Sequence, residues 1–387
     1  MRTLVPAGAA ALALAAGVAD AAEWTIGGFA AQTVEASDNR GLDASELAGN
    51  PEVDFITDLG ASFIGATPRS RFLLAPGARA FFSTEESFDA RNVLPRFNGA
   101  YSRAGARLDA EAFLSAVPRL VSDLALIFVD GDIDETLVDV EEDVVAVDVD
   151  FGLDLDWRAS PRDVLSLGLA FDAVEYLENV ESLDATRGYG ASLGWSRTLT
   201  PRTQLFASPS TRLFRSDGDG DGGQSVSLPV GVTHQVNGRL TTSASAGPSY
   251  ILREEADSTF GFVADLDLAY AGERTRLGFS LAQTIDQDAT GDIDNRSRAS
   301  AFAVRRIDPR QAVSLRAALA SDLSPFSAGG EREEDFALSV EPSWRIGLTE
   351  AWSLNAGYRL VARKDVDRFR AANAVFLTVS RGLSFLP

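Results

Sequence analysis

Runs of about ten residues in which apolar and polar side chains alternate, joined by connections that are short and long by turns, constrain this chain more than any other feature. A period of two puts successive side chains on opposite faces of an extended strand. In "DFALSVEPSWRI", Phe336, Leu338, Val340, Pro342, Trp344 and Ile346 are apolar, while Asp335, Ser339, Glu341, Ser343 and Arg345 fall between them. In "AWSLNAGYRLVAR", Trp352, Leu354, Ala356, Tyr358 and Leu360 share one face, and Ser353, Asn355, Gly357, Arg359 and Arg363 the other. Helical spacing is hard to find anywhere beyond Glu23.

The connections sort by parity. Tight turns are read at Thr67 (TPRS), Ser102 (SRAG), Ala159 (ASPR), Leu199 (LTPR), Asn237 (NG), Ala271 (AGER), Asp308 (DPR) and Gly347 (GLTE). Their Pro, Gly and Asn supply the backbone angles of hairpins. Between them run longer polar segments, among them the stretch from Pro118 to Asp143, "SDGDGDGGQ", "DQDATGDIDN" and "RKDVDRFR". Eight turns and nine long loops imply about eighteen strands, with sixteen as the alternative. A soluble sandwich or solenoid has no reason to segregate connection length in this way, and no fixed-period repeat is present. The expected fold is therefore all-β: a transmembrane, antiparallel, up-and-down β-barrel with short periplasmic turns and long extracellular loops.

The N-terminus fits that destination. "MRTLVPAGAAALALAAGVADAAEW" has Arg2, an apolar core, and a small-residue site around Ala19 and Ala21, the layout of a secretory signal. Residues 1–21 are read as a cleaved signal peptide and 22–387 as a single barrel domain. No later segment offers the roughly 18 to 20 unbroken apolar residues of a spanning helix. The absence of cysteine removes disulfide frameworks and thiolate metal sites together. A net charge of −21 argues against nucleic acid as a partner, because phosphate binding needs a basic footprint.

In a barrel, alternate residues face lipid and lumen, and a carboxylate cannot face hydrocarbon cheaply. "DVDFGLDLDW" therefore points Asp148, Asp150, Asp154 and Asp156 inward and Val149, Phe151, Leu153, Leu155 and Trp157 outward. Asp109, Glu111, Asp172, Asp265 and Asp267 extend this acidic lumen wall. Arg71, Arg79, Arg96, Arg212, Arg276, Arg316, Arg345 and Arg359 are read as its basic counterpart. Opposed clusters would act as a selectivity filter; alternatively, the charges only wet the lumen and pair across strands. Trp157, Trp195, Trp344 and Trp352 are expected in a periplasmic aromatic girdle.

The ending "VFLTVSRGLSF" resembles the terminal strand of outer-membrane barrels, whose last phenylalanine is read by the insertion machinery. Val375, Leu377, Val379, Leu383 and Phe385 match that pattern; Arg381 interrupts the apolar lattice, and Leu386 and Pro387 follow the phenylalanine. The stretch "DFITDLGASFIGATPRSRFLLAPGARAFF" from Asp54 is similar to the β-barrel porin families of Gram-negative bacteria, including barrels associated with exopolysaccharide and PEP-CTERM loci. The resemblance implies an outer-membrane location, with lipid, lipopolysaccharide and the barrel insertion machinery as partners.

Two functions stay open at this stage. One is a porin-like channel for passive or substrate-biased diffusion of small hydrophilic solutes. The other is a non-conducting accessory barrel of a surface or exopolysaccharide export system, with polysaccharide as partner. An enzyme is not expected. His234 is the only histidine and falls on the lipid-facing lattice, and no serine motif accompanies it. No cofactor or metal site is expected, beyond weak divalent-cation binding in acidic outer loops that lack EF-hand spacing.

Overall fold

The computed structural model describes residues 23–38, 52–84, 93–121, 127–129, 132–134, 144–177, 184–217, 222–253, 258–287, 293–321, 336–365 and 368–384. The segment read as a signal peptide, Phe385 and most of the longer connections, including the acidic centres of "SDGDGDGGQ" and "DQDATGDIDN", lie outside the described residues.

Every described element is a strand. In chain order they are β1 (Glu23–Ser37), β2 (Glu52–Ala66), β3 (Ser70–Ser83), β4 (Val93–Arg103), β5 (Leu108–Val121), β6 (Ile127–Val129), β7 (Asp132–Asp134), β8 (Val144–Arg158), β9 (Asp163–Tyr176), β10 (Thr186–Thr200) and β11 (Thr203–Ala207). They continue with β12 (Ser210–Ser216), β13 (Gly223–Ser227), β14 (Val230–Gln235), β15 (Leu240–Arg253), β16 (Thr259–Ala271), β17 (Thr275–Gln287), β18 (Ile293–Arg306), β19 (Gln311–Ser321), β20 (Phe336–Gly347), β21 (Trp352–Asp365) and β22 (Arg368–Ser384).

Each strand pairs antiparallel with its chain neighbour, β5 passes directly to β8, and β22 pairs with β1, from Gly27↔Ser384 to Ser37↔Ala374. The sheet is thereby closed. β11 and β12 form one run interrupted at Pro209, and β13 and β14 one run interrupted at Pro229, since proline has no N–H to give the ladder. The ladder bridges both breaks through carbonyls: Ser208 donates to Pro229 O (3.1 Å) and Leu228 to Pro248 O (3.1 Å). Counted this way, the ring has eighteen passes. Closure removes the open edges that a membrane would not tolerate.

On one side of the ring the connections are residues 67–69, 104–107, 159–162, 201–202, 236–239, 272–274, 307–310 and 348–351. Local side chains stabilise them: Asn237 Oδ1 accepts the N–H groups of Arg239 (2.8 Å) and Leu240 (3.0 Å), and Thr67 Oγ1 accepts that of Ser70 (2.9 Å). The fourth-to-fifth turn falls at 104–107, two residues later than "SRAG" suggests, because Ser102 and Arg103 remain in the ladder with β5. The polar "RKDVDRFR" is not a long loop. β21 runs to Asp365 and β22 starts at Arg368, with Lys364↔Phe369 and Arg363↔Arg370 still paired. Polarity there marks strands that continue past the apolar belt.

Register fixes two faces around the whole ring. On one lie Phe151, Leu165, Leu167, Leu169, Leu193, Leu277, Leu281, Leu315 and Leu377, all exposed. A contiguous exposed apolar surface of this extent fits contact with hydrocarbon. All five tryptophans belong to this outer face: Trp157, Trp195, Trp344 and Trp352, together with Trp24, which packs edge-on against Phe72.

Candidate functional site: the charged interior wall

The opposite face is identified as the interior by ion pairs that skip strands. Arg359 on β21 bonds Glu341 on β20 (3.0 Å) and also Glu35 on β1 (3.3 Å), beyond the intervening β22. Such convergence fits the concave side of a closed sheet, and the other face carries the exposed apolar belt.

All the acids singled out from the sequence share that face, in two separate patches. The larger patch spans β5, β8 and β9, where Asp109 stands opposite Asp156, Glu111 opposite Asp154, and Asp150 opposite Asp172, with Asp148 beyond. Asp265 and Asp267 are on β16, separated from the first patch by a wall of Ser192, Ser210, Ser225, Ser227, Ser243 and Ser245. The acids therefore form two patches, with these serines and Arg212 of β12 between them.

Several of these carboxylates have local duties. Asp109 accepts the N–H of Gly105 at 3.0 Å and pairs with Arg158, holding the turn below it. Asp156 accepts from Ser166 Oγ (2.5 Å), and Asp172 holds Arg212 at 2.7 Å. Glu111 and Asp154 are different: among the described residues, no hydrogen bond or ion pair reaches either.

The expected arginines divide as well. Arg71, Arg79 and Arg96, on β3 and β4, sit beside the acidic patch rather than across from it. Asp58 binds both Arg79 (2.9 Å) and Arg96 (3.2 Å). Arg316, Arg345 and Arg359 line β19, β20 and β21, about half a turn of the ring from β8 and β9. Arg276 faces in beside its turn on β17. Sequence reasoning missed Arg296, Arg298 and Arg370 on the same basic side, and put Arg363 on the polar face without counting it in the basic wall. Arg296 and Arg298 were hard to read because the outer face of β18 is Ser297, Ala299, Ala301 and Ala303, too small to make the alternation visible.

One hairpin enters this space, and a second reaches its far wall. The pairing of β16 with β17 ends at Ala264↔Gln283, and that of β18 with β19 at Ser297↔Ser321. Residues 284–287 and 293–296 pair only with each other, so the hairpin leaves the wall. Its Ile285 and Ile293 are buried on Phe214 and Ile251, which face inward by register, and Arg253 donates to Ile293 O at 2.7 Å. The hairpin therefore leans into the lumen, driven by apolar burial. The second is the short β6–β7 hairpin, within the stretch from Pro118 to Asp143. β7 lies against β19, on the far side of the ring from β5 and β8.

On the outer face, His234 Nδ1 and Thr203 Oγ1 are 3.0 Å apart beside a turn, remote from the interior acids. Val379 and Leu383 also face outward, as does Arg381, whose guanidinium lies 5.2 Å above the Trp352 ring.

No protein-family model and no curated protein matches the chain. Solved structures do. The chain is similar to OpdO of Pseudomonas aeruginosa (TM-score 0.51, 10% identity, covering 94% of this chain and 98% of that one). It is similar to OccAB2 of Acinetobacter baumannii to the same extent (TM-score 0.51, 10% identity, 94% and 98%). With OpdQ of Pseudomonas aeruginosa the TM-score is 0.50 at 8% identity, covering 94% and 100%. At such identities the likeness is one of fold: the closed, eighteen-stranded antiparallel barrel.

Proposed function

We propose that the protein is an outer-membrane channel for small hydrophilic solutes, passing them through a lumen whose two sides carry opposite charge. One observation carries the reading. The acids of β5, β8 and β9 stand about half a turn of the ring from the arginines of β18 to β22, on the inner face of a barrel of a size that leaves an aqueous passage. Such a field guides cations along one wall and anions along the other. The apolar outer belt would contact lipid and lipopolysaccharide, and the outward Val379 and Leu383 belong to the strand offered to the insertion machinery.

A second reading, the non-conducting accessory barrel of a polysaccharide system, draws on the β6–β7 hairpin reaching β19 and on the inward β17–β18 hairpin. The β17–β18 hairpin narrows the passage. Single-channel conductance of the refolded mature chain in a planar bilayer, with reversal potential under a salt gradient, separates the two. Stable steps whose cation preference falls when Asp148, Asp150, Asp154 and Asp156 become asparagine support the channel. A folded, silent barrel supports the accessory role.

A further inference from the structure

We propose that the lumen holds a seat for a flat organic cation, of the guanidinium or amidinium class, formed by Phe113, Glu111 and Asp154. This deepens the channel reading and rests on it.

The interior wall already contains four such seats, each filled by one of the protein's own arginines. Arg96 lies 4.8 Å from the Phe29 ring centroid and 3.2 Å from Asp58. Arg359 lies 5.6 Å from that of Phe376, between Glu341 and Glu35. Arg212 sits 5.0 Å from Phe214, held by Asp172 and Asp286. Arg79 is 5.9 Å from Phe81, with Asp58 at 2.9 Å. In every case a ring face and one or more carboxylates enclose a planar cation, with ring electrostatics and ion pairing acting together.

Around Phe113 the same parts are present without the cation. Phe113 pairs with Gly152, and two residues along the same face Glu111 pairs with Asp154. The ring covers Gly152, where an added Cβ would clash with it, and its other side turns to the lumen, leaving the residue 48% exposed. No arginine lies over it among the described residues. Two carboxylates directly opposite each other repel, and a half-exposed phenylalanine gains little from burial. A cationic solute would relieve both.

Phe302 is the built-in control. It lies over Gly278 on the opposite side of the ring, 45% exposed on the interior face, but its cross-strand neighbour is Arg316 instead of an acid. It has a platform and no seat.

The test uses the refolded mature chain and three probes of one shape: benzamidinium, neutral benzamide and anionic benzoate. In detergent, equilibrium titration should show benzamidinium binding that Phe113→Leu weakens about five-fold, in line with loss of one cation–π contact. The pair Glu111→Gln and Asp154→Asn should weaken it at least as much, while Phe302→Leu leaves it unchanged. Benzamide and benzoate should bind more weakly than benzamidinium. Equal binding of the three probes, or unchanged binding in Phe113→Leu protein that keeps its heat-modifiable folded form, overturns the seat. Because titration does not need conduction, a silent barrel that still binds benzamidinium would sink only the channel reading. A conducting barrel that fails to bind it would sink only the seat.

Discussion

Arg212 on β12 and Asp286 on β17 meet at 3.2 Å although three passes of wall separate their strands. Four interstrand spacings are about 19 Å, more than the two side chains can span. The contact exists because the β17–β18 hairpin has come inward, and Arg298 adds a second bond to the same carboxylate at 3.3 Å.

Asp286→Asn should therefore loosen the hairpin without unfolding the barrel. Both partners are partly exposed, so the loss in stability should be on the order of 1 kcal/mol. The expected result is a larger and noisier single-channel current. An unchanged current trace would mean that the packing of Ile285 and Ile293, with the Arg253 bond to Ile293 O, holds the hairpin without Asp286.

Replacing Phe151 by arginine should place a charge against hydrocarbon and cost roughly 2–4 kcal/mol near the bilayer midplane. Asp154→Asn, three residues on, should leave folding intact. Heat-modifiability on a gel compares the two; equal tolerance would mean that the two faces of β8 are assigned the wrong way round.

Glycines under aromatic rings offer a third check. A side chain at Gly278 would meet the Phe302 ring, and one at Gly60 the Phe29 ring. Gly278→Ala and Gly60→Ala should each lower the unfolding temperature in detergent, by an amount on the order of 1 kcal/mol for overpacking. The double variant Gly278→Ala with Phe302→Ala should recover part of that loss.

Arg381→Ala removes the cation over Trp352. We expect a small destabilisation, about 0.5–1 kcal/mol, measured by urea unfolding in lipid vesicles. Arg381→Glu should cost more, because a carboxylate is repelled by the same ring face.

The fold could be read from the sequence wherever the two faces differ strongly in polarity, as in the stretch from Asp148 to Trp157, where acids and large apolar residues alternate. It was hidden where the outer face is small, as with Ala299, Ala301 and Ala303, and the inward Arg296 and Arg298 were missed with it. Faces are local properties, so an acid or an arginine could be assigned wherever its own strand alternates visibly. Partners are not local. That Arg79 and Arg96 would share Asp58, or that Asp265 would stand apart from Asp172, depends on the order of strands around the ring. Strand extent was also obscured, since Lys364 and Arg370 look like loop residues although both remain in the ladder.

The seam between β1 and β22 carries a consequence for biogenesis. The first strand to be made has as one of its two neighbours the last, so throughout synthesis and export it must wait with a bare hydrogen-bonding edge. Deleting the final strand would leave two such edges at once, and a chain shortened by that single segment should be lost to aggregation or proteolysis instead of surviving as a smaller barrel.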